Sequence, residues 1–358
     1  MHQAEMDGAR PRIIDIALQA GVSTATVDRV LNGRPGVRAA TVKKVHDAAA
    51  WLAQSGGRPA IRAPVPTSMT VDVMLGGKPG FANEILMHTL RTAARAQGIH
   101  FRGQYVDRVN IAALHGAIEA AVATGTGGII LQPVEHPLIR DAIRDAAAAG
   151  VPVVSVLSTL PETPVVGYAG LDNRVAGRAA GAMLSYLCAQ RGKIAIIMSN
   201  AFYRSHEERE SGIRNIVRQR FPEVEVLDSV IAEDNPETCY KATAALLARH
   251  GDLRAICNLG AGNRGVEAAL LNAGKAHDIA FVAFNLTPLT RKALIDGTID
   301  AVIHQDMAAI ARKALRGILS HRAATGVGSM QVPAEIILSE NVRDIELDRH
   351  GAPVARDD

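Results

Sequence analysis

Apolar residues recur at helical spacing near the start of the chain. Ile13, Ile14, Ala17 and Leu18 mark one face of a predicted helix, which Gly21 closes. Ser23 then stands in an N-cap position ahead of Thr24-Ala25-Thr26-Val27-Asp28-Arg29-Val30-Leu31, and Asn32-Gly33 is a stop and turn signal. A third helix is predicted from Ala39 to about Gln54, with Val42, Val45, Ala49 and Leu52 facing inward. Residues 55–68, rich in Gly, Pro and Ala, have the composition of a linker.

From Thr70 the period changes. Apolar runs of strand length alternate with helical segments: Val71–Leu75, Ile99–Val106, Gly128–Leu131, Val151–Leu157, Lys193–Met198, Val224–Ile231, Ala255–Leu259, Ile279–Phe284 and Ala301–His304. That alternation predicts an α/β fold with parallel sheets. The segment is long for one sheet, so two similar lobes are expected, meeting near Gly170-Leu171-Asp172-Asn173. The expected organisation is an all-α head over residues 1–57, a linker or hinge over 58–69, and a two-lobed α/β body over 70–358.

Composition narrows the class. Hydrophobic residues make up 48% of the chain and charged residues 21%, enough for a sizeable core and too apolar for disorder. No apolar run reaches the ~20 residues of a membrane span, and the first residues carry no apolar signal-peptide core. The three cysteines, Cys188, Cys239 and Cys257, are widely spaced and match no metal-ligand pattern. A cytoplasmic location, no membrane association and no metal or cofactor are the resulting expectations. The net charge of +3 is unevenly placed, because residues 1–66 hold nine basic and five acidic residues. A basic head on a near-neutral body suggests that the head meets a polyanion.

Helix, glycine-containing turn, helix is the helix-turn-helix arrangement. Val22, Val27 and Val30 would fill its small core, leaving Thr24, Ala25, Asp28 and Arg29 outward on the second helix. The N-terminal half of that helix enters the major groove. There Arg29 would pair with guanine, and the methyl groups of Thr24 and Ala25 would meet thymine. Ser23 and Thr26 are candidates for phosphate contact.

The stretch Ile-Asp-Ile-Ala-Leu-Gln-Ala-Gly-Val-Ser-Thr-Ala-Thr-Val-Asp-Arg-Val-Leu-Asn-Gly, continuing as Val37-Arg38-Ala39-Ala40-Thr41-Val42-Lys43-Lys44-Val45, resembles the headpiece of the LacI-type family of lac and purine repressors. The resemblance implies that Thr24, Ala25 and Arg29 read bases, and it covers nearly the whole chain; the full DNA-contacting set expected is Ser23, Thr24, Ala25, Thr26, Arg29 and Asn32. Asp28 stands where Ser is usual. In the family's hinge a Leu wedges the minor groove. Here Ile61 is the candidate wedge, with Arg58 and Arg62 near phosphates, but the surrounding prolines and glycines oppose a hinge helix. The function implied is a DNA-binding transcriptional regulator, expected to be a repressor, that is controlled by a small molecule. Its partners would be operator DNA in an inverted repeat, a sugar-like or polyol effector, and a second copy of the chain in a homodimer or higher assembly.

By the same resemblance the body is similar to type I periplasmic sugar-binding proteins, in which ligand lies between two lobes. In such α/β folds ligand sits beyond the carboxyl ends of the strands. The polar and aromatic residues expected there are Phe81, Asn83, Gln132, Ser158, Asn173, Tyr203, Arg209, Asn258, Asn263, Asn285 and Gln305. Arg209 opens an Arg-x-x-Gly that matches a family motif, and its planar fork suits paired hydrogen bonds. Asn and Gln both donate and accept, which suits a polyol. Any single Asn or Ser after a strand also has a plain role as a helix cap or turn former.

An enzyme is the competing class. Gly260-Ala261-Gly262-Asn263-Arg264-Gly265 has the spacing of a dinucleotide fingerprint, which would make the protein a nicotinamide-dependent dehydrogenase. The fingerprint normally follows the first strand and is completed by an acidic residue on the next, where this chain has Asn285. His206-Glu207-Glu208 is not a His-Glu-x-x-His zinc motif, and no catalytic triad or carboxylate pair stands out. A non-enzymatic binding protein is therefore expected.

Overall fold

Described in the computed structural model are residues 13–20, 22–54, 69–77, 81–107, 109–199 and 202–343. The chain divides into two compact units, Met1–Thr67 and Ser68–Asp358. Gly21, Arg58, Ile61, Arg62 and the rest of the hinge as far as residue 68 lie outside the described residues, as do the side chains of Ile14, Leu18 and Leu52.

In the first unit, α1 (Ile13–Ala20) and α2 (Thr24–Leu31) are followed by α3 (Ala39–Gln54). Ser23 caps α2, its Oγ accepting from the Thr26 amide at 3.1 Å. This satisfies a donor that the helix itself leaves unpaired, as expected of Ser in that position. Ile16, Ala17, Val27, Val30, Val45 and Ala48 form the core, with Val22, Val42 and Ala49 packed around it. Val27 and Val45 are fully buried. Each contributes roughly 1.5–3 kcal/mol by leaving water.

The second unit begins with β1 (Thr70–Gly76), α4 (Phe81–Ala96), β2 (His100–Val106), α5 (Ile111–Ala123), β3 (Gly128–Leu131), α6 (Pro137–Ala148), β4 (Val153–Val156) and β5 (Gly167–Ala169). These strands form one parallel sheet in the order β2-β1-β3-β4-β5. Every residue of β3 and β4 is buried, because helices cover both faces. Asp72, the one buried acid of β1, is paired in two bonds with Arg102 of β2, at 2.8 and 2.7 Å.

The chain crosses at Gly170-Leu171-Asp172 into α7 (Asn173–Leu187), β6 (Gly192–Met198), α8 (Arg204–Arg220), β7 (Val224–Val226), β8 (Val230–Ile231), α9 (Pro236–Arg249), β9 (Leu253–Asn258), α10 (Asn263–Asn272), β10 (Ala280–Phe284), α11 (Pro288–Ile295) and β11 (Ala301–His304). It then returns: α12 (Met307–Arg322) packs on the first lobe, with Arg322 donating to the Gly127 carbonyl at 3.1 Å. A last crossing passes Val332, which bridges to Leu171, and delivers β12 (Glu335–Ile337) antiparallel to β11. The second sheet runs β12-β11-β10-β9-β6-β7, with β8 also on β6. The lobes do meet at Gly170–Asn173, and both sheets are parallel apart from β12.

The single strand expected over Val224–Ile231 is broken into β7 and β8. Arg214 of α8 takes the carbonyls of Val226 and Leu227 and the Ser229 hydroxyl, which holds the chain off the ladder there. The short strands β5 and β12 have no expected counterpart. Each is only three residues long, too short to show a period of its own.

Candidate functional site

On the head, Ser23, Thr24, Ala25 and Arg29 are exposed and Thr26 is half-buried. Ser23 and Thr26 hydroxyls share a hydrogen bond of 2.8 Å beside the cap. Asp28 is occupied: its carboxylate accepts from Asn32 Nδ2 at 2.8 Å and pairs with Arg34 at 3.4 Å. That ties the Asn32 amide to the helix, while the Arg29 side chain, exposed on α2, has no hydrogen-bond or ion-pair partner among the described residues.

Segments beyond the carboxyl ends of the two sheets of the body meet where the Ser205 amide donates to Ser158 Oγ at 3.3 Å and the Glu135 amide to the Phe202 carbonyl at 2.9 Å. Arg209 is the hub of the second-lobe wall. It lies on α8, is only 4% exposed, and donates to Asn173 Oδ1 at 2.9 Å and to the Leu259 carbonyl at 2.8 Å. Its guanidinium also lies 4.3 Å from the centre of the Phe284 ring. Asn173 in turn donates to the Tyr168 hydroxyl at 3.0 Å. One cation thus joins the crossing at Asn173 to the ends of β9 and β10.

Burial pushes the Arg209 guanidinium down to about 10, with Tyr168 and Cys257 acting in the opposite direction. It therefore stays charged at neutral pH. Burial also raises the Tyr168 hydroxyl and pushes the Cys257 thiol up to about 12, so both stay neutral beside it. Two of the five guanidinium donors are engaged by protein, and the others suit acceptors on a bound molecule.

The remaining amides divide into two kinds. Asn258 donates to the Ala261 carbonyl at 2.8 Å and to Asn263 Oδ1 at 2.7 Å, and Asn263 donates to the Phe284 carbonyl at 3.0 Å. Asn83 donates to the Gly76 carbonyl at 2.7 Å and to Gln132 Oε1 at 3.3 Å, and Gln132 Oε1 also accepts the Gly76 amide. These four residues hold loops. Asn285 and Gln305 are different. They directly follow the adjacent strands β10 and β11, and among the described residues Asn285 Oδ1 and Gln305 Oε1 are buried with no hydrogen-bond partner. Buried acceptors are normally paired, so these two need a donor. Phe81 opens α4 half-buried, and Tyr203 is buried against the first lobe.

The Gly260–Gly265 loop packs rather than cradles. An added Cβ would meet Asp234 Oδ1 at 2.2 Å from Gly260, Cys239 Sγ at 2.5 Å from Gly262 and the Pro236 carbonyl at 1.9 Å from Gly265. Only Gly262 has a left-handed φ, 84°, where it precedes α10. Tyr168 and Phe284 join the site without having been expected. Phe284 reads as the end of an apolar run, and Tyr168 sits in a three-residue strand with no signal of its own. Among the described residues no cluster of His, Cys, Asp and Glu could hold a metal ion, and no helix is long and apolar enough to cross a membrane.

Two family profiles match the chain. One, bacterial regulatory proteins of the lacI family, covers residues 12–53. The other, a periplasmic binding protein domain, covers residues 82–322. The regulator MalR of Streptomyces coelicolor is 68% identical over 34 residues, 10% of each chain. The ribose import binding protein RbsB of Salmonella typhimurium is 27% identical over 192 residues, which are 52% of this chain and 63% of that protein. The chain thus spans less than two thirds of that relative's length. Among solved structures, the glucose-galactose binding protein GanP of Geobacillus stearothermophilus shares the fold, with a TM-score of 0.72 at 19% identity over 77% of this chain and 99% of that one. None of these matches supports a dehydrogenase.

Proposed function

From a chain that belongs to the periplasmic binding protein domain family and opens with a lacI-family region, we propose a sugar-responsive DNA-binding transcriptional regulator. The observation that carries the effector half is the buried wall of Arg209, Asn285 and Gln305. It presents one fixed cation and two amide acceptors that have no partner among the described residues, at the strand ends. Vicinal hydroxyls both donate and accept, so a sugar or polyol satisfies both kinds of group at once. The likeness to a ribose import protein makes a pentose the first candidate. The protein acts in the cytoplasm as a repressor and binds an inverted-repeat operator as a homodimer. The DNA contacts are Thr24, Ala25 and Arg29 to bases, with Ser23 and Thr26 toward phosphate. Effector changes operator affinity to the extent that it binds one lobe arrangement better than the other.

The test uses the full chain and an operator selected from random duplexes. Among D-ribose, other aldoses, sugar acids and polyols, at least one should change operator affinity. At 100-fold over its dissociation constant it should also stabilise the chain by ~2.7 kcal/mol in a thermal melt. Arg209→Ala should keep operator binding and lose the response, because charge-assisted bonds are each worth ~1.5–3 kcal/mol. A wild-type response retained by Arg209→Ala would remove that residue from the site. A panel that moves neither melt nor operator affinity sinks the sugar reading.

A further inference from the structure

Residues 202–205 end the β6–α8 connection and open α8, so they belong to the second lobe, yet they pack on the first. Besides the Phe202 carbonyl and the Ser205 amide, which bond to Glu135 and Ser158, the Tyr203 side chain itself crosses over. It is 5% exposed and lies in the first-lobe core with Met74, Val106, Leu131 and Val134. Its hydroxyl abuts the end of β1, where a Cβ added to Gly76 would lie 1.8 Å from it. The floor of this notch is held from both sides, the Gly76 amide by Gln132 and its carbonyl by Asn83. Gly76 is therefore the residue whose missing side chain makes room for the ring.

We propose that Tyr203 is a positioning residue for lobe closure: a peg from the second lobe, seated in the Gly76 notch of the first. The proposal deepens the reading of the body as an effector-responsive switch. The seat is made of protein groups alone, so it favours closure independently of any small molecule. Burying an aromatic ring removes more apolar surface from water than most side chains can, which biases a two-state equilibrium strongly. Tyr203 directly precedes α8, the helix that carries Arg209, so withdrawing the peg moves Arg209 away from the first-lobe wall. Opening and effector reading are thereby coupled through one segment.

The experiment reads the distance between lobes in the full chain with no small molecule added. Spin labels go on Val109→Cys in the first lobe and Val175→Cys in the second, both exposed, while the three native cysteines are buried. The parent should give one narrow distribution. Tyr203→Ala, which removes the peg, and Gly76→Ala, which fills the notch, should both shift it to longer distance and broaden it. Tyr203→Phe should keep the parent distribution. Circular dichroism checks that each variant is folded, and Gly76→Ala carries the test alone if Tyr203→Ala is not. An unchanged distribution in the folded alanine variants overturns the proposal, as does Tyr203→Phe opening as far as Tyr203→Ala. Neither result depends on the sugar panel, so failure of the peg and failure of the effector reading are separate outcomes.

Discussion

At the scale of residues, the head separates an exposed cation from a brace. Asp28 and Arg29 are neighbours on α2, but Asp28 is spent on Asn32 and Arg34 while Arg29 stays exposed. We expect Arg29→Ala to cost ~1–3 kcal/mol of operator binding, with non-specific binding little changed. Competition between operator and random duplex at fixed salt measures this directly, and unchanged discrimination would exclude Arg29 as a base reader. The body makes the same kind of distinction. Asn258 and Asn263 hold a loop, whereas Asn285 and Gln305 keep buried acceptors without partners among the described residues, although all four are amides near strand ends.

At the scale of elements, α7 and α8 set the position of the hub. They cross through glycines: a Cβ on Gly177 would lie 2.1 Å from the Arg209 carbonyl, and one on Gly212 would lie 2.3 Å from the Arg174 carbonyl. Both obstacles are backbone, so neither can swing aside as a flexible side chain would. Gly177→Ala should therefore force the helices apart, costing ~1–3 kcal/mol of stability and displacing Arg209. Gly116 of α5 is the control, because its added Cβ meets nothing within 4 Å. Gly116→Ala should instead be neutral or stabilising by ~0.5–1 kcal/mol, through the reduced flexibility of the unfolded chain. Denaturant melts of the two variants should diverge in sign, and similar losses in both would refute this account of the crossing.

At the scale of the whole molecule, one helix-turn-helix reads only a half-site, so tight specific binding calls for two copies on a two-fold site. Among the described residues the head core is a small aliphatic cluster of Ile16, Ala17, Val27, Val30, Val45 and Ala48, whereas the body is large. Residues 70–358 alone should sediment as a dimer or larger at micromolar concentration, and the full chain should protect a palindromic site. A monomeric body, with an isolated half-site bound as tightly as the full operator, would exclude the dimer.

Local regularities were legible in the sequence because they depend on near neighbours. The period of Val42, Val45 and Ala49, the Ser23 cap, and the strand-length runs ending at Leu131, Met198 and His304 each follow from backbone geometry within a few residues. So did the lobe junction at Gly170–Asn173, whereas Arg209 stood out only through the likeness of its Arg-x-x-Gly to a family motif. What the tertiary structure alone decided were choices between chemically equal residues far apart in the chain. Whether an amide near a strand end is consumed or left open depends on which loop folds back onto it, as Ala261 does onto Asn258. Tyr168 reaches Asn173 because β5 pairs with β4, and Tyr203 packs on the first lobe because Gly76, more than a hundred residues earlier, has no side chain. Hydrogen bonds and packing are decided by distances of a few ångströms between such residues, and only the folded chain sets those distances.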